Sequence, residues 1–321
     1  MFNSSHFPKA KKYWFQGKIH EISKASIHPF THTLHYGTSV FEGIRAYDSE
    51  QGPAIFRLPE HMDRFFHSAS VLKMKVQHSK EDIVSIIKTV MKENQLKSAY
   101  IRPLLFYSFG NLGLTPKFCP VELLVAAWEW GAYLGDKAVT GVNVYILPQK
   151  RIHHSQFDMG AKLGGAYVQS TICGMTAREK GFDEALFLNL EGHIAEGPGE
   201  NIFIYHKGIL KTNDKTASIL EGITRTSILE IAEEMGIKTS VAPITKNELF
   251  EADEAFFCGT AAEVTPIIRI TDGSEKAENP SEIKIGTGKS GEFTQKIRET
   301  YLKVVQGKIP KYHKWLTLIN D

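Results

Sequence analysis

The sequence predicts an α+β fold in two domains, and three observations carry that reading. Strand-like and helix-like stretches are mixed without regular βαβ alternation, which disfavours a doubly wound sheet. The chain has 321 residues, more than the ~100–200 of a typical domain, so two domains are favoured while one large domain stays open. The texture changes at 131–141, GAYLGDKAVTG, where three glycines interrupt any periodicity. The expected division is a small N-terminal α/β unit over 1–130, an interdomain loop over 131–141 and a larger C-terminal unit over 142–321.

The elements follow in chain order. WFQGKIHEI (14–22) alternates around a Gly-containing turn and reads as a hairpin. AIFRL (54–58) is a short strand running into Pro59 and then a helix through about Leu72. Ser79 with Asp82 three residues on is a capping-box pattern. It opens a helix whose apolar stripe is Ile83, Ile86, Ile87, Val90 and Met91. AYIRPLLFYS (99–108) and VELLVAAWEW (121–130) read as strands, and Pro103 places the first at an edge or a bulge. Beyond the junction, VNVYIL (142–147) is a strand and a helix from about Gly165 stops at Gly181. EALFLN and NIFIYH flank the loop EGHIAEGPGE, and a helix begins near Thr224. Strands EAFFC and TPIIRI bracket the turn GTAAE (259–263), and a last helix runs over about 291–306.

Composition excludes several functions. Lys+Arg at 38 against Asp+Glu at 36 gives +2, too little for a nucleic-acid-binding field. The longest charge-free run, Pro103–Pro116, has fourteen residues, short of the ~20 of a membrane helix. The start MFNSSHFPKAKK lacks a signal peptide's apolar stretch. Cys119, Cys173 and Cys258 are odd in number and far apart, forming neither a disulfide framework nor a metal pair. A soluble, cytoplasmic enzyme is expected, with any phosphate held by a few local groups.

Two tempting motifs fail on spacing. GTGKSG (286–291) contains GKS, but the phosphate-loop pattern needs Gly where Ile283 stands, and too little chain follows for a dinucleotide fold. No G-x-S-x-G anchors a serine hydrolase. The histidines His28, His32, His35, His61 and His67 read as structural or solvent-facing, and no metal is expected. One lysine stands in unusual company: Lys162 in GAKLGGAY (160–167), where small neighbours let a cofactor ring or another backbone come close. Such a lysine, once taken out of water, is suited to imine formation, although the segment alone also reads as a solvated loop lysine. AEGPGEN (195–201) sets Glu196 beside glycines. EGITR (221–225) puts Thr224 at a helix N-terminus, which favours anions, and Arg64 adds a phosphate-binding cation. Lysine, acid and phosphate cup are what pyridoxal 5'-phosphate (PLP) requires.

With these motifs in view, the sequence resembles the class IV, fold type IV PLP-dependent aminotransferases, and within them the branched-chain amino acid aminotransferases. The resemblance is carried by LHYGTSVFEGIRAY (34–47), HMDRFFHSA (61–69), YIRPL (100–104), WGAYLG (130–135), AKLGGAY (161–167), AEGPGEN, LEGITR (220–225) and CGTAAEVTP (258–266). It implies a two-domain α+β fold with PLP at the domain interface. It also implies amino transfer between Leu, Ile or Val and 2-oxoglutarate or glutamate in biosynthesis. A dimer or dimer-based hexamer follows, in which the neighbouring subunit completes the substrate pocket. D-amino acid aminotransferase, aminodeoxychorismate lyase and a non-catalytic PLP-binding homologue share the scaffold.

Carried over residue by residue, the resemblance makes Lys162 the imine-forming and proton-moving lysine and Glu196 the partner of the pyridine nitrogen. Arg64, Ile223, Thr224 and Thr260 would hold the phosphate, and Tyr167 the ring's phenolic oxygen. Substrate carboxylate would meet Tyr100 and the Thr260–Ala261–Ala262 turn. Phe41, Tyr36, Trp130 and Tyr133 would line the apolar pocket, Tyr133 on a closing loop. Arg102 would accept glutamate's second carboxylate. Two departures stand out: RIHHSQFDMGAK (151–162) differs from the Pro-rich approach expected before the lysine, and Pro198 replaces a small residue.

Overall fold

The computed structural model describes residues 10–131, 136–275 and 280–320. These residues form two compact units. The first comprises 10–131, 161–166 and 303–320, and the second comprises 136–160 and the described residues of 167–302. The segments 161–166 and 303–320, expected in the second unit, thus group with the first.

In the first unit the strands are β1 (Lys12–Phe15), β2 (Lys18–Glu21), β3 (Ser39–Phe41), β4 (Ile44–Ser49), β5 (Gly52–Phe56), β6 (Ala99–Tyr107) and β7 (Val121–Trp128). The helices are α1 (His32–Tyr36), α2 (Leu58–Val71) and α3 (Lys80–Glu93). A C-terminal strand, β16 (Leu316–Leu318), pairs with β5 and gives the order β16-β5-β4-β6-β7-β1-β2, with β3 also on β6. All these pairings are antiparallel. α3 starts at the capping box read from the sequence, Ser79 Oγ accepting from Asp82 N–H and Asp82 from Ser79 N–H. Its Ile83, Ile87, Val90 and Met91 are buried with Phe65, Ile101 and Val125 in one core.

Pro103 corrects one expectation. β6 is a central strand, not an edge, and Pro103 lies where its neighbour is interrupted. β4 covers Ala99–Ile101 and β3 covers Leu104–Phe106, leaving Glu42 and Gly43 between them. The missing N–H of proline therefore falls in the gap, and Pro103 O still accepts from Glu42 N–H at 3.0 Å. The grouping of 161–166 has an equally local cause. Leu163 bridges Val40, and a Cβ on Gly164 would lie 2.2 Å from Ser39 Oγ, one on Gly37 3.0 Å from Gly165 Cα. The small residues around Lys162 thus admit the close approach of another backbone.

The second unit holds α4 (Lys137–Thr140), β8 (Val142–Lys150), α5 (Tyr167–Glu179), β9 (Glu184–Leu188), β10 (Asn201–His206), β11 (Ile209–Thr212), α6 (Ile223–Glu234) and β12 (Lys238–Val241). It continues with α7 (Lys246–Phe250), β13 (Glu254–Gly259), β14 (Glu263–Asp272) and β15 (Glu282–Lys284), and α8 (Glu292–Val305) follows. The expected junction loop contains α4, which a 3.6-residue pattern cannot reveal in four residues. The sheet order is β12-β11-β10-β13-β14-β8-β9, with β15 on β14. Three of its pairings are parallel, β11–β12, β14–β8 and β8–β9, so the sheet is mixed. Ile146, Ile202, Phe257 and Ile270 pack in one core cluster, and Leu147, Phe187, Cys173 and Ala177 in another. Among the described residues no helix is long and apolar enough to cross a membrane.

Candidate active site

The interruption between β3 and β4 places a carboxylate inside the first unit. Glu42 is fully buried. Its Oε1 accepts from Arg64 Nε at 2.6 Å and its Oε2 from Arg64 Nη2 at 2.8 Å, while His61 Nδ1 lies 2.8 Å from Oε2. His61 and Arg64 sit three apart on α2 and so share a face. The Arg64 guanidinium and His61 hold the Glu42 carboxyl far below the usual carboxylate range against the opposing effect of burial. Burial holds His61 below its ordinary range despite Glu42, so the neutral ring donates through Nδ1. This fork fixes one edge of the Arg64 guanidinium, a group whose planar N–H donors suit anions such as carboxylate or phosphate.

Lys162 is tied to the same helix. Its backbone N–H donates to Ser68 Oγ at 2.8 Å, and Ser68 Oγ donates to Arg64 O at 2.8 Å. Its carbonyl accepts from Phe41 N–H, and its Nζ stands 5.1 Å from the Phe41 ring centroid. Arg102 lies over the same ring at 4.5 Å and over Tyr100 at 5.3 Å. Arg102 Nη2 donates to Tyr100 Oη at 3.2 Å, and Arg102 Nε is buried with no hydrogen-bond partner among the described residues. Trp130 meets Tyr100 edge-on at 4.4 Å, and its carbonyl accepts from Arg45. The first unit thus gathers Lys162, Phe41, Arg64, Tyr100, Arg102 and Trp130. Tyr36 goes elsewhere: its Oη donates to Leu112 O at 2.6 Å and its ring packs on His32. Tyr133 lies outside the described residues.

The second unit builds its own group around Glu196, which is buried. Arg151 Nε donates to Oε1 at 3.0 Å, and Asn201 Nδ2 and Leu220 N–H donate to Oε2 at 3.3 and 3.1 Å. Arg151 is held in turn by Gln169 and Ser170 and lies over the Phe187 ring. Pro198 fits because the donors on either side come from glycines: Gly197 N–H to Glu200 O, Gly199 N–H to Glu200 Oε2. α6 begins at Ile223 behind Gly222, which gives no side-chain cap, and Thr224 is buried in its first turn. The first-turn N–H groups and the helix dipole favour an anion there. Gly222 is required, since a Cβ would lie 2.2 Å from Asn201 Oδ1. The Gly259–Glu263 pair closes the β13–β14 hairpin over Thr260, Ala261 and Ala262. Tyr167 opens α5.

Glu42, Arg151 and Asn201 are additions that the sequence reading missed, while His61, read as structural or solvent-facing, is buried against Glu42. Glu42 had one signal, a lone acid in the apolar stretch SVFEGI. Arg151 stood in the segment noted as atypical, but its partner is 45 residues away. Within the second unit, a buried acid held by Arg151, Asn201 and Leu220 N–H and a helix N-terminus without a side-chain cap are groups suited to a protonated ring nitrogen and to an anion.

The family described as Amino-transferase class IV matches residues 39–270. The chain is 44% identical over 308 residues to the branched-chain-amino-acid aminotransferase of Pseudomonas aeruginosa, covering 95% of this chain and 96% of the relative. It is similar to the T.th. branched-chain amino acid aminotransferase complexed with N-(5'-phosphopyridoxyl)-L-glutamate, with 42% identity, TM-score 0.89 and coverage of 98% and 100%. The complex of that enzyme with 4-methylvaleric acid gives 40% identity, TM-score 0.89 and coverage of 98% and 100%.

Proposed function

The chain belongs to the class IV aminotransferases, and we propose that it transfers the amino group between branched-chain L-amino acids and 2-oxoglutarate, with PLP as cofactor, in branched-chain amino acid biosynthesis. The observation that carries the substrate reading is Arg102 lying on the rings of Phe41 and Tyr100. Aromatic faces offer a surface to an isopropyl or sec-butyl group, and the guanidinium meets a second carboxylate when glutamate binds instead. The relatives with a phosphopyridoxyl-glutamate adduct and with 4-methylvaleric acid hold these two kinds of side chain.

When bound, PLP supplies an aldehyde that takes the amino group and a ring that delocalises the electron pair left at the substrate Cα. The chain's own groups do the rest. Lys162 Nζ anchors the cofactor at rest and removes the proton from the substrate Cα once displaced. Glu196 keeps a proton on the pyridine nitrogen, and Arg151, Asn201 and Leu220 N–H orient it. Tyr167 bonds the phenolic oxygen. The family resemblance assigns the phosphate to Arg64, Thr224 with Ile223 N–H, and Thr260. The resemblance assigns the substrate carboxylate to Tyr100 and the Thr260–Ala262 turn, and the apolar surface around the substrate side chain to Trp130, Phe41 and Tyr133.

The reading includes a homo-oligomer. Phe30, Leu34, Tyr36, Phe109, Leu114 and Phe118 are exposed, Leu114 by 83% and Phe118 by 71%. Their loops are joined by the Thr31–Phe109 bridge and the Tyr36–Leu112 hydrogen bond. Monomers seldom leave such patches uncovered, and a second copy is the occupant we assign, with Tyr36 in the contact. A cytoplasmic setting fits the three buried, unpaired cysteines. The deciding experiment is a paired-substrate assay of purified protein with L-Leu, L-Ile, L-Val, L-Glu and D-Ala, with Lys162→Ala as control. Transfer from L-leucine to 2-oxoglutarate, lost in the control, is the expected result. Transfer from D-alanine alone, or PLP bound without turnover, overturns it.

A further inference from the structure

The turn that carries Glu196 contains a second buried acid that the mechanism does not use. Glu200 is 5% exposed. Its Oε2 accepts from Gly199 N–H at 3.0 Å. The carboxyl is packed so tightly on the turn that a Cβ on Gly197 would lie 2.7 Å from Oε2 and 3.2 Å from the Phe257 ring. Glu184 on β9 is also buried, and its Oε2 has no hydrogen-bond partner among the described residues. Glu184 Oε1 and Pro198 Cγ both lie within 4 Å of the place a Cβ on Gly174 of α5 would take, so the turn and Glu184 both border Gly174.

The groups facing Glu200 are weighted against its charge. Glu184, with Asp183 beside it, approaches from β9, Glu196 from the same turn, and the Cys258 thiol from β13, with Arg225 acting on that thiol. Arg178 on α5 is a facing cation among the described residues, with its side chain 54% exposed and 3.7 Å from Glu184. Burial, then Glu184, push the Glu200 carboxyl up to about 8, and burial raises Glu184 as well. Two links pass any movement of residue 200 to the acid. Gly197 N–H donates to Glu200 O at 2.8 Å. Asn201, the next residue, donates to Glu196 Oε2.

We propose that Glu200 is a positioning residue for Glu196, serving as a neutral acid whose ionisation in alkaline solution loosens the turn and weakens the hold on the cofactor. The inference rests on the reading of Glu196 as the partner of the pyridine nitrogen. As a neutral group Glu200 adds no charge beside Glu184 and Glu196. As an anion it must swing toward water, and the five-residue turn is too short to absorb that without moving Glu196.

The test compares wild type with Glu200→Gln, an uncharged group of the same shape. PLP affinity, read by fluorescence, is followed with kcat across about pH 6–10. Wild type is expected to lose PLP affinity at least ~3-fold above pH 8, while the Gln variant changes less than about 2-fold over the same range. A readout without cofactor accompanies it. The folded acid keeps a proton that the unfolded chain releases above its ordinary 4.5, so wild-type apo stability should fall between about pH 4.5 and 8 and then level. Denaturant unfolding should show that slope reduced in the variant. Identical pH dependences for both proteins overturn the proposal. A chain that binds PLP without turning over L-leucine overturns the substrate reading and leaves PLP affinity to decide Glu200. A chain that binds no PLP overturns both.

Discussion

Replacing Glu42 by Gln or Ala tests the buried core of the first unit's site. Glu42 has no exposed surface and holds three charge-assisted contacts, at 2.6, 2.8 and 2.8 Å, with Arg64 and His61. Removing one partner of a buried ion pair costs about 3–5 kcal/mol, because the remaining charge is stranded. Against a typical stability of ~5–15 kcal/mol, that is a large share. Glu42→Ala should reach that range. Glu42→Gln should fall somewhat below it, since one oxygen still accepts from the guanidinium. Arg64 then loses its fixed edge, so PLP affinity should fall in both variants. The pH dependence gives an independent sign. The folded carboxyl is held below its ordinary value of 4.5. Its contribution is therefore complete above that value and fades as the pH falls through and below it. Wild type should lose denaturant stability steadily below about pH 4.5, and the Gln variant should show a shallower slope. The assay is urea unfolding of apo protein at several pH values, with PLP titration of the refolded chain. A Gln variant within about 1 kcal/mol of wild type, with an unchanged acid slope, would refute the reasoning.

Three further outcomes follow from the geometry. Asn94 is buried and ties α3 to β1, accepting from Lys11 and Lys12 N–H and donating to Lys12 O and Val90 O; Asn94→Ala should cost about 2–3 kcal/mol in urea unfolding. Gly43→Ala would set a methyl 2.0 Å from Tyr100 Oη. It should destabilise by about 1–3 kcal/mol and raise KM for L-leucine, with Tyr100→Phe relieving part of the strain in a double-mutant cycle. Arg151→Met leaves the buried Glu196 carboxylate without its guanidinium partner; a stability loss of about 3–5 kcal/mol is expected, with kcat reduced more than KM in the paired-substrate assay.

The legible parts of the fold were those set by near neighbours in the chain. The hairpin of β1 and β2, the capping box at Ser79 and the stripe on α3 depend on residues within a few positions, so spacing alone finds them. Short elements escaped: β11, β12, β15, β16 and the four-residue α4 carry too few residues for a period to show. Pro103 was read as an edge or bulge signal, and its actual place, opposite the break at Glu42 and Gly43, depends on how two other strands align with β6.

The same division runs through the candidate site. Lys162 and Glu196 stood out as candidates in the sequence because lysine in small company and acid in a glycine turn are local signatures, whereas Arg102 entered only through the family resemblance. Only the tertiary structure decided which charges share a burial site. Glu42 finds Arg64 22 residues on, and Arg151 finds Glu196 45 residues on. It also decided that 161–166 and 303–320 belong with the N-terminal strands. The physical reason is that desolvation selects these partners. A charge taken out of water must be met by whatever group the completed sheet brings within hydrogen-bond reach, and chain spacing carries no record of that distance.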